Sequence, residues 1–180
     1  FQATWFAAGK FGTALQFDGT NDYVTIPDSN SLDLTNSMTL EAWVRPTSTS
    51  GWRTVLLKEN SSELAYALYS RESTNRPSAW IRTNPTSGSS KSTAGTTGLT
   101  LNTWTHLAAT YDGATLKMFV NGAQVGSKAY TGNMYTSANP LKIGGNAVWG
   151  EYFAGQIDEV RVYNRALLLS EIQTDMNTPL

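Results

Sequence analysis

Short segments in which apolar and polar residues alternate with a period of two run along the whole chain, and most of them end at Gly, Asn or Pro. The clearest is MTLEAWVR at residues 38–45, which Pro46 ends. Successive side chains of a β-strand point to opposite faces, so this alternation predicts strands with a buried face. The other strand candidates are residues 14–17, 23–26, 54–58, 66–70, 78–82, 105–111, 116–120, 123–128, 141–143 and 155–163.

Turn residues indicate how some of these strands connect. Asp112-Gly113 and Asn121-Gly122 favour tight hairpins, so the three strands around them should pair in sequence order. DGTND at residues 18–22 predicts another tight turn between two strands. Residues 83–98 are rich in Ser, Thr and Gly, and they predict a long flexible loop or hairpin tip.

Helix signals are nearly absent from the chain. Residues 166–173 offer one short helical turn, with Ser170 as its N-cap. Many short strands at near-regular spacing favour two packed antiparallel sheets. The sequence therefore predicts an all-β fold, a two-sheet antiparallel β-sandwich with at most a short C-terminal helical turn.

Composition excludes several classes of function. The chain has 180 residues, of which 40% are hydrophobic and 15% charged, and this length suits one domain over residues 1–180. The formal net charge is −1 and the basic residues are scattered, which argues against nucleic-acid binding. No apolar stretch is long enough to predict membrane insertion. Cysteine is absent, which excludes disulfides and thiolate metal sites.

Four blocks of the chain resemble the laminin-G-like, concanavalin A-like jelly-roll domains, in the order that the family shows. They are GKFGTAL at residues 9–15 leading into FDGTNDYV at 17–24, MTLEAWV at 38–44, WTHLAATYDG at 104–113 and IDEVRVYNRAL at 157–167. The resemblance implies a jelly roll in a secreted or cell-surface protein, with a frequent Ca²⁺ site and frequent carbohydrate binding. Members usually carry a further strand before the first block. Only eight residues precede it here, so we expect that strand to be missing and the chain to be a piece of a larger multidomain protein.

The DGTND turn carries a predicted structural Ca²⁺ site. Ca²⁺ takes six to eight oxygen ligands, commonly carboxylates together with carbonyls of a sharp turn. In the resembling fold the penultimate strand, which carries Asp158, runs close to this turn. The predicted metal ligands are Asp18, Asn21, Asp22 and Asp158. In the alternative, Asp18 and Asp22 accept hydrogen bonds from amides of their own turn, and Asp158 bonds Arg161 or a neighbouring amide.

Six Trp and eight Tyr are many for this length. Trp43 and Trp104 lie in alternating strands, which favours core packing. Other aromatics stand among polar residues or glycines, as in GGNAVWGEY at residues 144–152, where a ring could stack on the apolar face of a sugar. The alternative is a ring folded over its loop as a lid on the core. The predicted glycan-binding residues are Trp52, Trp80, Asn146, Trp149 and Tyr152.

The sequence offers no catalytic signature, so we predict that the chain is not an enzyme. His106 is the only histidine, and its alternation with apolar neighbours indicates a structural strand residue. The Glu-x-Asp-x-x-Glu strand motif of the related glucanases is absent. Asp158 and Glu159 are adjacent and should point to opposite faces of their strand.

The leading hypothesis is a non-catalytic extracellular carbohydrate-binding or adhesion module, whose partner is a glycan of a cell surface or matrix. A structural or protein-binding spacer domain of a multidomain surface protein is the alternative. A small glycosidase or lyase is a remote third, because the fold also hosts enzymes.

Overall fold

The computed structural model describes residues 4–6, 8–83 and 90–180. Within these ranges the chain forms strands, one 3₁₀ turn at Asn30–Leu32 and one helix, α1, at Leu169–Asp175. The strands are β1 (Thr4–Phe6), β2 (Ala14–Asp18), β3 (Val24–Ile26), β4 (Met38–Pro46), β5 (Arg53–Asn60), β6 (Glu63–Arg71), β7 (Ser78–Arg82), β8 (Ser90–Ala94), β9 (Thr105–Tyr111), β10 (Thr115–Val120), β11 (Ala123–Ala129), β12 (Leu141–Ile143) and β13 (Ala154–Tyr163).

The strands form two antiparallel sheets, which confirms the predicted sandwich. The seven-stranded sheet has the order β1-β2-β13-β4-β9-β10-β11, and the six-stranded sheet has the order β3-β12-β5-β6-β7-β8. Strands β9, β10 and β11 pair in sequence order through the turns at Asp112-Gly113 and Asn121-Gly122, as predicted. Most other neighbours are far apart in the chain, as a jelly roll requires.

The core lies between the two sheets and is made by every second residue of their strands. Leu40 and Val44 of β4 face inward from the seven-stranded sheet, and Leu56 and Leu68 face inward from the other. All four side chains are fully buried. The period-two alternation of the sequence is thus the alternation between this core and the outer faces.

Helix α1 covers part of the outer face of the seven-stranded sheet. Its Ile172 packs with Ala108 of β9 and Phe119 of β10. Trp43 of β4 is buried, and its indole Nε1 donates to the carbonyl of Met176 just after the helix, at 3.2 Å. In the part of the chain that the structure describes, no helix is long and apolar enough to cross a bilayer.

The turn at residues 18–22 joins two strands, as predicted, but these strands belong to different sheets. Strand β2 pairs with β1 and β13 in one sheet, whereas β3 pairs with β12 in the other. The chain therefore crosses between the layers at this turn. The same turn residues can join two strands of one sheet or two strands of different sheets, because the local sequence does not show which strand each will pair with.

Two strands were not expected from the sequence. Thr4–Phe6 forms β1 at the edge of the seven-stranded sheet, so a strand does precede the first family block. Ser90–Ala94 forms β8 at the edge of the six-stranded sheet, within the segment predicted to be a loop. Its polar sequence SKSTA lacks apolar alternation because an edge strand is half exposed. The rest of that loop prediction, at residues 84–89, lies outside the described residues.

Candidate functional site

The candidate site lies on the outer face of the six-stranded sheet, the face turned away from α1. The register of the strands places one outward-facing row across this face. The row consists of Thr25, Lys142, Leu57, Ala67, Trp80 and Ser92.

Three aromatic rings cluster on this face over strands β5, β6 and β7. The ring centroid of Trp52 lies 5.1 Å from that of Tyr69 and 5.7 Å from that of Trp80, at interplanar angles of 75° and 58°. The rings rest on a small apolar layer that includes Leu57 and Leu64. Each ring is therefore fixed by its neighbours, and the two indoles are only partly covered.

These rings form the wall of a pocket with a volume of about 300 Å³. Ligand pockets commonly measure about 300–1,000 Å³, so this one suits a small group such as one or two sugar rings. Its lining residues are Trp52, Glu63, Leu64, Tyr69, Trp80, Ser90, Trp149 and Glu151.

The loop at residues 144–152 forms one side of the pocket, and Asn146 holds it in shape. The Asn146 amide Nδ2 donates to Thr54 Oγ1 at 2.8 Å and to Glu151 Oε2 at 2.9 Å. Its Oδ1 accepts from the backbone N–H of Trp149 at 2.8 Å. Because one fully buried side chain satisfies three groups, the loop presents Trp149, 45% exposed, from a fixed base.

Two further features hold the loop in place, one at β5 and one at the core. The backbone N–H of Ala147 donates to Glu59 Oε1 of β5 at 2.7 Å. Gly144, where the loop begins, has φ +79°, and a Cβ atom there would lie 2.1 Å from the Phe17 ring. Only glycine fits this close approach to the core.

Two carboxylates, the Tyr69 phenol and the Ser90 hydroxyl are polar groups of the pocket lining. Tyr69 donates its hydroxyl to Glu151 Oε2 at 2.9 Å, and Ser90 donates to Glu63 Oε2 at 3.2 Å. Burial raises the pKa of Glu151, and the hydrogen bonds from Asn146 and Tyr69 partly oppose that rise. Burial and the nearby Glu151 charge raise the pKa of Tyr69 well above its ordinary value, so Tyr69 keeps its proton and remains the donor.

The structure brings three of the five predicted glycan-binding residues together. Trp52, Trp80 and Trp149 line the pocket. Asn146 is fully buried, so it supports the loop instead of facing a ligand. Tyr152 stacks on Tyr23, with ring centroids 6.3 Å apart, and is not among the pocket-lining residues.

Several lining residues were not predicted from the sequence. Tyr69 and Leu64 belong to apolar strand segments, where nothing local distinguishes an outer-face residue from a core residue. Glu151 gave some signal, because it lies in the glycine-rich loop beside Trp149. Glu59 and Glu63 flank the turn between β5 and β6, but Glu59 accepts from the backbone N–H of Ala147 whereas Glu63 lines the pocket.

The four predicted calcium ligands do not form one set of donors. Asp18 lies opposite Ala154 in the β2–β13 ladder, and Asp158 is four residues further along β13. At about 3.3 Å per residue this separates the two backbone positions by about 13 Å, whereas two carboxylate oxygens bound to one Ca²⁺, each about 2.3–2.6 Å from it, lie within about 5 Å of each other. Among the described residues, no group of three or more His, Cys, Asp or Glu side chains is placed to hold a metal. A single ion shared by Asp18 and Asp158 does not fit.

The carboxylates have protein donors instead. Asp18 Oδ1 accepts from the backbone N–H of Thr20 at 2.7 Å and of Asn21 at 3.3 Å. These amide hydrogen bonds, that of Thr20 foremost, lower the pKa of Asp18. Asp22 Oδ2 accepts from the N–H of Asp18 at 3.1 Å. Of the four predicted ligands, Asp18, Asn21 and Asp22 share this turn, and Ca²⁺ binding by this chain stays a prediction.

Asp158 stabilises a different part of the molecule. Its Oδ2 accepts from the backbone N–H of Phe11, and its Oδ1 accepts from that of Glu159, both at 3.0 Å. Asp158 therefore attaches the turn at residues 9–12 to β13. The bond from Glu159 is the neighbouring-amide contact of the alternative interpretation, whereas the bond from Phe11 was not predicted.

Two antiparallel sheets with this strand order have the architecture of the lectin-like jelly-roll domains. The chain belongs to the concanavalin A-like lectin/glucanases superfamily, because the laminin G family model with that description matches residues 18–173. Mouse pappalysin-1 is 38% identical over 80 residues, which are 42% of this chain. The match spans only 5% of pappalysin-1.

Solved structures share the fold. Domain 4 of AbnA, an extracellular arabinanase of Geobacillus stearothermophilus, superposes with a TM-score of 0.77 at 22% identity, covering 97% of this chain and 81% of that chain. Domains LG4–5 of the mouse laminin α1 chain give a TM-score of 0.66 at 14% identity, covering 87% of this chain and 42% of that chain. At these identities the likeness shows the fold.

Proposed function

We propose that this chain is a non-catalytic carbohydrate-binding module of a secreted or cell-surface protein, and that it binds glycan in the aromatic pocket. The observation that carries the proposal is the convergence of Trp52, Trp80 and Trp149 on one pocket together with two carboxylates. The module would attach the larger protein to a polysaccharide of a cell surface or matrix.

The chemistry of the pocket matches the two sides of a sugar ring. The C–H face of a pyranose or furanose stacks on a flat aromatic ring, and its hydroxyls need partners at the edge. Trp149 and Trp80 offer partly exposed rings, while Glu151 and Glu63 offer acceptors. Sugar hydroxyls bonded in the complex were already bonded to water, so we expect weak binding per site.

A structural relative supports this choice. The AbnA domain was solved in complex with arabinotriose, which shows that the same fold holds a short oligosaccharide in that protein. The two pocket acids of this chain already accept hydrogen bonds from Tyr69, Asn146 and Ser90. We propose that they orient sugar hydroxyls and do not cleave glycosidic bonds, so the same polysaccharides should release no reducing ends on incubation.

The test compares wild type with Trp149→Ala on a broad glycan array and by calorimetry with the best ligand. We expect Trp149→Ala to weaken binding at least tenfold, which corresponds to about 1.4 kcal/mol, because the most exposed ring of the pocket is lost. Leu169→Ala is the matched control: Leu169 is 46% exposed, as against 45% for Trp149, but lies on α1 over the other sheet.

Wild-type protein that binds no glycan on the array would contradict the proposal and favour the spacer alternative. Equal weakening in Trp149→Ala and Leu169→Ala would place the binding site elsewhere. Release of reducing ends that disappears in Glu63→Gln or Glu151→Gln would show an enzyme instead.

A further inference from the structure

We propose that the pocket selects uncharged sugars and rejects sugars that carry a carboxylate or sulfate. This inference rests on the proposed function and names the class of glycan. It follows from the polar groups that the fold places around the aromatic rings.

Both charged side chains of the pocket are acidic. Glu151 is committed through Oε2 to Tyr69 and Asn146, which leaves Oε1 as its oxygen for a ligand hydroxyl. Glu63 lines the pocket from the start of β6 and accepts from Ser90. A carboxylate accepts hydrogen bonds and cannot donate them, so it matches a sugar hydroxyl and leaves a uronate or sulfate oxygen without a donor.

No basic side chain offsets these acids within the described lining. The eight lining residues include no Lys, Arg or His. Arg82, the basic residue of β7, is buried, and its guanidinium lies 5.5 Å from the ring centroid of Tyr135, which is not in the lining. Lys91 of β8 pairs opposite Ile81, whose side chain is in the core, so it is on the other face of the sheet from Trp80.

Solvent exclusion strengthens the selection. Stacking a sugar against Trp80 and Trp149 removes water from the space beside Glu151, so an anionic group of the ligand would lose its hydration there without gaining a basic partner from the lining. A site that recognises its ligand by hydrogen bonds strongly rejects an analogue that leaves a buried polar group unpaired. An apolar site, which selects its ligand by size, discriminates less sharply. The aromatic rings would therefore give affinity, and the carboxylates would give selectivity.

The experiment uses one polymer in two forms: a polyuronate, and the same polymer after chemical reduction of its carboxyl groups to primary alcohols. Binding of the whole chain to each form is measured at neutral pH in EDTA, which removes divalent cations that could bridge acidic groups. We expect the reduced, neutral polymer to bind at least tenfold more tightly. The Glu63→Gln, Glu151→Gln double variant should narrow this ratio severalfold, even though the loss of two acceptors also weakens its binding of the neutral polymer.

Glu171→Gln is the matched control, because it removes one negative charge from a partly exposed helix residue that caps α1, a role that Gln also fills. It should leave the ratio unchanged. If the double variant unfolds, Glu63→Gln alone serves, since the described hydrogen bond of Glu63 is with Ser90 of β8 and not with the 144–152 loop. Equal binding of both polymers, or tighter binding of the polyuronate, would overturn the selectivity and leave the proposed function standing. If neither polymer binds and the glycan array is silent as well, the proposed function fails, and the selectivity fails with it.

Discussion

At the scale of single residues, the pocket depends on a side chain that does not touch it. Asn146 uses both amide hydrogens and its carbonyl oxygen on Thr54, Glu151 and Trp149. The sequence identified Asn146 as part of the site, but as a ligand-binding residue. Burial, which follows from how the loop packs on the sheet, changes its expected role.

We expect Asn146→Ala to abolish measurable glycan binding and to lower the free energy of unfolding by about 2–4 kcal/mol, because three partners lose their hydrogen bonds in a buried place. Thermal unfolding and calorimetry check both effects. Asn133→Ala, at an exposed position, is the control and should change neither. An Asn146→Ala protein that binds glycan like wild type would show that the loop keeps its shape without this side chain.

Asp158 allows a test that separates a metal ligand from a structural carboxylate. We expect Asp158→Asn to lower the melting temperature by the same amount in EDTA and in Ca²⁺, since the carboxylate accepts from two backbone amides. Calcium at the 18–22 turn would instead appear as an EDTA sensitivity that Asp18→Asn removes. Loss of EDTA sensitivity in Asp158→Asn would contradict the geometry described above.

At the scale of elements, the alternating pattern located most strands to within one to three residues. It failed for β8, because a polar edge strand carries little apolar signal. It also failed to show that β2 and β3 belong to different sheets, because pairing depends on partners far away in the chain. The same limit applies to the loop at residues 144–152. The sequence shows its glycines, but its attachment to β5 depends on a contact between distant parts of the chain.

Gly144 tests whether this loop is fixed by its close approach to the core. We expect Gly144→Ala to destabilise the fold by about 2–4 kcal/mol and to weaken glycan binding, because the new methyl group would overlap the Phe17 ring. Gly12→Ala is the control: its φ is +62° but no atom lies within 4 Å, so it should cost only about 1–2 kcal/mol of backbone strain. Denaturant unfolding measures the loss of stability in each variant. Similar losses for both changes would show that backbone strain, and not overlap with the Phe17 ring, causes the destabilisation.

At the scale of the whole molecule, a group of buried ionisable residues joins α1 to the seven-stranded sheet. Burial first, and then Asp175 of α1, raises the pKa of Glu41 to about 8, although Arg161 of β13 acts in the opposite direction. Burial lowers the pKa of His106 to about 4. The fold therefore prefers Glu41 protonated and His106 neutral.

These shifts predict how stability depends on pH. Below pH 6.5 the unfolded chain takes up the His106 proton before the folded chain does, so acid lowers stability down to about pH 4. From about pH 4.5 to 8 the unfolded chain has released the Glu41 proton that the folded chain keeps, so rising pH lowers stability. Between about pH 4.5 and 6.5 the His106 and Glu41 contributions to the pH dependence of stability have opposite signs. Above pH 6.5 only the decline caused by Glu41 remains.

We therefore expect Glu41→Gln to raise the free energy of unfolding at pH 8 by about 2 kcal/mol and to flatten the decline of stability between pH 6.5 and 8. Urea unfolding at several pH values measures both. Glu171→Gln, at a partly exposed position, should leave the decline as in wild type. A wild-type protein whose stability rises across this range would contradict the raised pKa of Glu41.

The sequence alone determined the fold class of this protein, because a period of two allows only strands, and Asp-Gly and Asn-Gly pairs determine local hairpins. It also indicated three of the pocket residues, since tryptophans beside glycines and polar residues seldom belong to the core. Only the tertiary structure decided that Trp52, Trp80 and Trp149 share one pocket with Glu63 and Glu151. This arrangement depends on strand register and on a loop that is hydrogen-bonded to a strand distant in sequence. Such long-range contacts produce no periodic pattern in the sequence.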